Sequence, residues 1–518
     1  MAMDAQLGER LWRFHGGVRL PHEKPMSLAA DPEFAGVPPV LVVPLRQHRG
    51  DAAEPVVRVG ETVNRGQLIG EAHPGRITAR VHAPATGVVT AIERREVIHP
   101  SGLPELCVEI ETRAGGTDED LPPLDWQTCD RQALIDRIWE AGIVGLGGAV
   151  FPTHIKVDPP PETPVDLLIV NGAECEPYIA ADETLMRHRP KDVIRGALMV
   201  ARATGAARTV VAVEDQMGAV EHILRKTERD LGAEDLQIVK VPTIYPEGGE
   251  RQLIRVLTGK EVPSGGLPLD VGLLSINVGT AVAAYHAVEH GRPLISRMVT
   301  VTGRGIRQPG NFEALIGTPV SYLIERAGGY DDDIRKLVMG GPMMGVPLPH
   351  DDLPIMKATN ALLGLVDYEV TRKAPELPCI RCMACERVCP AQLLPQQLLW
   401  YTQQGDFEQV EAHALFDCIE CGCCAFACPS QIPLVDYYRY AKSEIRARAV
   451  ERARAAHARH RHEVREERLE REQERRARRL QKKREKLRDR KAKQAEIQAA
   501  IQRSKARRKS GEESDDAL

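Results

Sequence analysis

Short apolar runs broken by glycine fill residues 56–110, reading VVRVGETVNRGQLIG and then ARVHAPATGVVTAIE, with turns at Gly60, Gly66 and Gly87. Such spacing predicts a small β domain. The period changes at residue 130, where Leu134, Ile135, Ile138 and Trp139 fall on one helical face and a glycine-rich turn, GIVGLGGAVFPTHIK, follows from Gly142. Strand-like runs at 165–170, 208–213 and 236–241 then alternate with helical text at 182–203 and 216–231. That alternation predicts a parallel sheet with helices on its faces and ligands at the carboxyl ends of its strands. Residues 296–345 read as a smaller unit, with a strand MVTVTG, a glycine-rich turn and short helices around 312–316 and 320–327. A cysteine region occupies 378–433. After Tyr440 the chain has no proline and no aromatic residue, and Gly511 is its only glycine. Leu469 and Leu480 are too sparse for a coiled-coil seam, so a solvated single helix, frayed towards a disordered end, is expected.

The length of 518 residues exceeds what one core holds, and 43% hydrophobic with 27% charged residues reads as globular. No run approaches the roughly 18 apolar residues of a spanning helix, and residues 1–17 lack a basic start followed by an apolar block, so the expectation is a cytoplasmic chain. Charge changes the picture more. The net −4 conceals +12 on residues 441–518, where 27 Lys/Arg meet 15 Asp/Glu, and −16 on the remainder. An acidic body argues against a nucleic-acid surface. The basic tail lacks aromatics for stacking bases, so no nucleic acid is expected as a partner.

Nine of the twelve cysteines lie between Cys379 and Cys428. In a cytoplasmic chain that density points to metal rather than disulfides. Cys379, Cys382, Cys385 and Cys389 are spaced C-x2-C-x2-C-x3-C before Pro390, and Cys418, Cys421, Cys424 and Cys428 repeat the pattern before Pro429. This is the bacterial two-cluster ferredoxin run, in which three thiolates of each motif hold one [4Fe–4S] cluster and the fourth crosses to the other. Cys379, Cys382, Cys385 and Cys428 are therefore expected on one cluster, and Cys418, Cys421, Cys424 and Cys389 on the second. Two zinc sites are the alternative, with ligands in pairs rather than interleaved quartets. Cys423 lies outside the spacing and reads as a bystander.

The glycine turn with NGAECEP (171–177), YPEGGERQLI (245–254) and INVGT (276–280) resembles the flavin- and NADH-binding subunit of respiratory complex I. Over nearly the whole length the sequence is similar to the C subunits of Rnf (Rsx) electron transport complexes. The resemblance implies a multidomain α/β chain: a barrel-sandwich domain of biotinyl/lipoyl-like shape at 1–118, an FMN/NADH-binding α/β domain at 119–293 and an SLBB-like β-grasp domain at 294–350. A 2[4Fe–4S] ferredoxin-type, α-helical domain at 360–440 and a charged helical or disordered tail at 441–518 complete it. Carrier domains of the first shape need a lysine at the hairpin tip. Here the tip reads Pro84, Ala85, Thr86, Gly87, so docking is expected instead.

By the same resemblance Asn171, Glu174, Glu176, Tyr245, Gly248, Glu250, Asn277 and Thr280 would line the flavin mononucleotide and nicotinamide pocket, with Phe151 stacking on a ring. On chemical grounds Gly145, Gly147 and Gly148 would admit close backbone approach to phosphate, and Lys156 would supply charge. Single-residue alternatives are a tight turn for the glycines, a solvated loop for the carboxylates and a turn residue for Asn277. Leu146, Val150, Ala173, Gly249 and Gly279 depart from the complex I pattern and leave the flavin site more secure than the NADH site. Cys175 reads either as a buried filler or as a thiol beside the flavin.

NADH delivers two electrons together and clusters accept one at a time, so a flavin must stand between them. The resemblance implies an electron-transfer subunit of a membrane-bound ion-translocating NADH:ferredoxin oxidoreductase, a translocase complex, carrying FMN and two [4Fe–4S] clusters with NADH as substrate. It also implies the other Rnf-type subunits as partners, ferredoxin indirectly, anionic lipid contact through the tail, and a peripheral place on the cytoplasmic face of the bacterial inner membrane. A flavin and iron–sulfur cobalamin reductase, and a cluster-bearing scaffold without nucleotide chemistry, are the alternatives.

Overall fold

The computed structural model describes residues 10–73, 75–370 and 375–512 and divides into two units, Met1–Ala441 and Lys442–Leu518. In the first unit, alternating apolar positions build an antiparallel sheet of Val40–Pro44, Glu105–Thr112, Gly87–Arg95 and Thr62–Val63. A three-stranded sheet, Glu54–Pro55, Leu68–Glu71 and Val81–His82, accompanies it. Leu41, Val43, Val63, Ile69, Val89 and Ile110 are buried in a common core. The hairpin tip at 84–87 is covered: Pro84, Ala85 and Gly87 are buried, and the Arg65 amide donates to Thr86 Oγ1 at 3.1 Å. A swinging carrier tip would stand free in solvent, whereas this one is packed.

Next comes a wholly parallel sheet in the order Leu236–Val241, Thr209–Glu214, Leu167–Gly172, Leu273–Asn277. All six residues of TVVAVE are buried, as a strand covered on both faces requires. The expected helix at 182–203 is corrected to two, Ala181–His188 and Pro190–Thr204. Pro190 has no N–H to give the preceding turn and biases Arg189 away from helical backbone, so the apolar period runs on while the helix restarts. The helix expected at 216–231 begins later, as Ala219–Leu231 after a 3-10 turn at Asp215–Met217.

A six-stranded sheet follows, in the order Glu33–Phe34, Gly310–Leu315, Ser296–Thr302, Ala361–Val366, Ile334–Met339, Val346–Pro347. The short helix expected around 312–316 is thereby corrected to a strand, paired antiparallel with Ser296–Thr302 from Ser296↔Leu315 to Val301↔Gly310. Phe312 and Ala314 reach a core whose demand overrides the helical preference of Glu, Ala and Leu. Helix Val320–Arg326 matches the expectation at 320–327. Strand Ala361–Val366 falls within the span expected for the cysteine unit, and Glu33–Phe34 within that expected for the first domain.

The two cysteine motifs share one backbone path. Arg381, Met383 and Gln392 take positive φ (57°, 61° and 53°), and Glu420, Gly422 and Gln431 do so at the matching offsets (59°, 80° and 51°). Each pair of turns leads into a one-turn helix, Ala384–Arg387 or Cys423–Phe426, and these pack together. The second unit is helical through Glu512 within the helix Leu434–Glu512, and its residues 446–507 are exposed throughout. The frayed end expected at 513–518 lies outside the described residues. Among those described, no helix is long and apolar enough to cross a membrane.

Candidate functional site

The strand order places the topological switch between Leu167–Gly172 and Leu273–Asn277, because the chain winds outward from the first and later returns to the other side of it. In open α/β sheets, ligands bind outside the carboxyl ends of the strands at such a point. Asn171 and Asn277 are register partners at those ends. Asn277 caps helix Val278–Glu289 by accepting from the Gly279 amide at 2.8 Å, and its Nδ2 donates to Asp182. Asn171 Nδ2 donates to the Gly248 carbonyl at 2.8 Å, which ties the YPEGG loop to the sheet edge.

The glycine turn lies over the same point. The Gly145 amide donates to the Phe151 carbonyl at 2.8 Å, and the Leu146 amide to Thr280 Oγ1 at 2.9 Å. A Cβ on Gly147 would stand 3.0 Å from Asn277 Cβ, while Gly148, at φ +98°, faces open space. Gly147, Gly148 and Ala149 are exposed, so the crest is open to a ligand. Phe151 is half-buried. Lys156 Nζ lies 2.6 Å from Glu250 Oε1, both about one-third exposed. An exposed glycine crest against a helix N-terminus, with a lysine on the helix that follows, suits a phosphate-bearing flavin.

The structure draws two expected site carboxylates into other work. Glu174 accepts from the Asp182 and Glu183 amides at 3.0 and 3.3 Å, capping helix Ala181–His188, with Lys24 Nζ 3.6 Å away. Burial pushes the Glu174 pKa up, against the pull of Lys24. Glu176 accepts from the Met343 and Met344 amides at 2.7 and 3.0 Å, binding the loop at 340–345 to the nucleotide domain. Burial raises its pKa as well, opposed by those two amides. Cys175 is partly buried and receives the Gly248 amide at 3.3 Å; burial drives its pKa far up, as suits a filler rather than a reactive thiolate.

Four groups that sequence reasoning passed over complete the setting. Asp182 is pushed up to about 7 by burial and then by Glu174. Lys24 is held above its ordinary pKa by Glu174, Glu214 and Glu183 although burial opposes its charge. Glu214 and Glu247 are wholly buried near the sheet edge. Only Glu247 carried a signal, as a carboxylate inside a motif already singled out. A hollow bounded by Arg65, Arg189, His286, His290 and Arg292 lies towards the far end of helix Val278–Glu289. Arg189 and His286 there are already paired with Glu313 and Asp192, which marks a seam between elements.

Cysteines from both motifs approach one another in two groups. Cys424 feels the charges of Cys418, Cys421 and Cys389, and these four line one pocket with Tyr438 and Leu398. Cys385 feels Cys428 and Cys379. Cys382 sits exposed, its carbonyl accepting from Arg387 Nη1 at 3.2 Å. As placed, the described sulfurs do not close on a single metal ion. The sets differ in depth. Cys389, Cys421 and Cys424 are buried, whereas Cys379 and Cys382 are exposed.

The inner set adjoins the nucleotide loop. Tyr245, 2% exposed, donates its hydroxyl to the Cys421 carbonyl at 2.7 Å. Tyr245, Cys421 and Cys423 form one buried cluster, against which Cys175, Met343 and Val18 pack. Cys423 is therefore more than a bystander in packing. The N-terminal stretch clamps this junction: Val18 pairs with Tyr245, the Gly17 amide donates to the Val388 carbonyl at 3.0 Å, and His15 Nδ1 lies 2.9 Å from the Cys389 carbonyl.

Four family models match in chain order: RnfC barrel sandwich hybrid domain at 12–113, Nuo51 FMN-binding domain at 138–286, SLBB domain at 298–347 and 4Fe-4S dicluster domain at 378–432. The RnfC component of an ion-translocating oxidoreductase complex from Yersinia pestis is 45% identical over 468 residues, spanning 90% of this chain and 74% of that one. The chain belongs to the RnfC family of ion-translocating oxidoreductase complexes. The corresponding RnfC protein of Pseudomonas aeruginosa is 46% identical over 461 residues, covering 89% of this chain and 59% of that one. An NAD+-reducing [NiFe]-hydrogenase aligns with a TM-score of 0.44 and 19% identity over 61% of this chain and 63% of that chain. As a member of the RnfC family, the chain is an electron-transfer component with an FMN-binding domain and a dicluster iron–sulfur domain.

Proposed function

We propose that this chain is the electron-entry subunit of its complex, relaying electrons between NADH, FMN and two [4Fe–4S] clusters in a fixed spatial order. The contact from Tyr245 to Cys421 carries the reading, since it joins the loop of the nucleotide crevice to a ligand of the buried quartet. Gly145, Gly147 and Gly148 with Lys156 and the helix start at Asn277 and Thr280 would hold the flavin phosphate. Asn171, Gly248 and Tyr245 would shape the crevice beyond it, with Phe151 as a ring surface. Glu174 and Glu176 act through the backbone they brace, and Glu250 as the counter-charge of Lys156. Bound FMN supplies the step from a two-electron donor to one-electron acceptors. Cys389, Cys418, Cys421 and Cys424 would hold the inner cluster. Cys379, Cys382, Cys385 and Cys428 would hold the outer one, and their exposure suits exchange with another protein.

The partners in this reading are the remaining subunits of the membrane complex, with ferredoxin reached through them, on the cytoplasmic face of the bacterial inner membrane. The basic tail would rest on anionic lipid. The test uses anaerobically purified protein with reconstituted clusters: NADH is added with and without FMN and low-temperature EPR is recorded. Reduced-cluster signals that need both additions are expected. Clusters that dithionite reduces but NADH with FMN does not would rule out NADH as the electron donor to this chain.

A further inference from the structure

Buried carboxylates in this protein are as a rule bonded. Glu174 accepts two backbone amides, and Glu183 accepts from Arg187 Nε at 2.9 Å. Glu247 breaks the rule: it is 0% exposed, and neither carboxylate oxygen has a hydrogen-bond partner among the described residues. Glu214, 1% exposed, accepts from Gln216 Nε2 at 2.6 Å through one oxygen, while the other is also without a partner. Leaving such groups unpaired in a dry interior costs about 1–3 kcal/mol each, more if ionised, so a purely structural acid would not be kept this way.

Their placement gives the anomaly a use. Glu214 ends its strand at the carboxyl edge, two residues beyond Ala212, the register partner of Asn171. Glu247 immediately precedes Gly248, whose carbonyl holds Asn171. Both acids therefore sit one strand over from the switch point, beside the nucleotide crevice.

We propose that Glu214 and Glu247 form a shared proton-exchange site serving the nucleotide crevice. The idea rests on the electron-entry reading and deepens it. Overall, one NADH becomes NAD+ as a nicotinamide C–H bond breaks, its two electrons pass on through the flavin to two one-electron centres, and one proton is left over. That proton forms an O–H bond on the carboxylate of the pair. Glu247 faces Glu214 and Asp215, and Asp215 is already engaged by the Thr243 amide and hydroxyl. Glu214 in turn faces Lys24, Glu174, Glu183 and Cys175. Burial, then the charges of Glu214 and Asp215, push Glu247 up to about 9, so it stays protonated at neutral pH. Burial lifts Glu214 to about 7 against the pull of Lys24, so it is poised to accept. Glu247 thus keeps its proton while Glu214 exchanges one.

The test is infrared difference spectroscopy on the full chain carrying FMN and clusters, reduced anaerobically by NADH, in H2O and D2O. A protonated-carboxyl band that changes on reduction, shifts in D2O and is lost in Glu214→Gln and Glu247→Gln is expected, with flavin content unchanged. A wild-type spectrum lacking the band, or a band that persists in both variants, overturns the proposal. Dithionite in place of NADH reads the same band, so failure of NADH to reduce the flavin counts against the electron-entry reading alone. Should a variant not fold, the wild-type carboxyl band followed against pH decides: a titration near pH 7 supports the pair, and a band that does not change with pH overturns it.

Discussion

Tyr245 shows how one side chain can couple two cofactor sites. Its phenol is buried, and its hydroxyl donates to the carbonyl of Cys421 with the Glu176 carboxylate alongside. Tyr245→Phe keeps the ring in the apolar junction and removes that donor, at a cost of about 1–2 kcal/mol for an acceptor left unpaired. Hydrogen bonds and solvent access tune cluster potentials, so the variant is expected to lower the potential of the inner cluster and leave the outer one unmoved. An EPR-monitored redox titration checks this, and equal shifts in both clusters would contradict the assignment. Glu247 yields a second prediction, in stability. Its folded pKa of about 9 lies above the ordinary 4.5, so between those values the unfolded chain gives up a proton that the folded chain retains. Unfolding is then favoured progressively as pH rises through that window, by about 1.4 kcal/mol per unit at most, or about 3 kcal/mol at pH 7. Glu247→Gln removes the titration. Its Tm should match the parent's near pH 4.5 and exceed it increasingly towards pH 9, and a constant difference across that range would refute a buried, protonated Glu247.

At the scale of elements, the glycine turn and the twin cysteine loops carry the function. Gly147 has to lack a Cβ because Asn277 occupies the space 3.0 Å away. Gly147→Ala should lift the crest off the helix start and reduce FMN affinity about tenfold, equivalent to about 1.4 kcal/mol, with little change in far-UV circular dichroism. Retention of full affinity would place the phosphate elsewhere. The crossover of the fourth cysteine gives a paired test. Cys389→Ser should abolish the inner cluster although Cys389 belongs to the first motif, and Cys428→Ser should abolish the outer one. Iron analysis with EPR distinguishes this from the uncrossed assignment, in which the losses are reversed. Much of this was legible in the chain. The alternation of apolar runs between 165 and 241 revealed the parallel sheet, and cysteine spacing marked the region that matches a dicluster domain. Other features were hidden for physical reasons. The apolar period continues through Pro190, which conceals the break in the helix, and the text at 312–316 favours helix locally while its neighbour at 296–302 makes it a strand. Motif likeness selected Glu174 and Glu176, but what their carboxylates bind is decided by amides at 182–183 and 343–344, which no local pattern connects. Lys24 stood in a stretch without any motif.

The whole molecule joins two bodies of opposite charge, −16 on residues 1–440 and +12 on 441–518. The acidic body holds the redox groups and is itself repelled by an anionic membrane, so a basic extension is the part suited to bring it there. Each basic residue near such a surface contributes about 1 kcal/mol, screened within about 10 Å at ordinary salt, while the tail's own 15 acids offset a large share. The helix at 446–507 is exposed throughout and lacks an apolar stripe, which leaves charge rather than insertion as its means of contact. A chain ending at Ala441 keeps every cysteine and every residue of the nucleotide crevice. It should therefore retain its FMN, its iron and its NADH-driven cluster reduction, while losing flotation with phosphatidylglycerol vesicles. For the full chain, that flotation should weaken steeply as salt rises from 50 to 500 mM. Flotation of the shortened chain equal to that of the full chain would show that the membrane contact lies in the body and not in the tail. Loss of iron or flavin on truncation would instead show that the tail supports the fold, against the separation of the chain into two units.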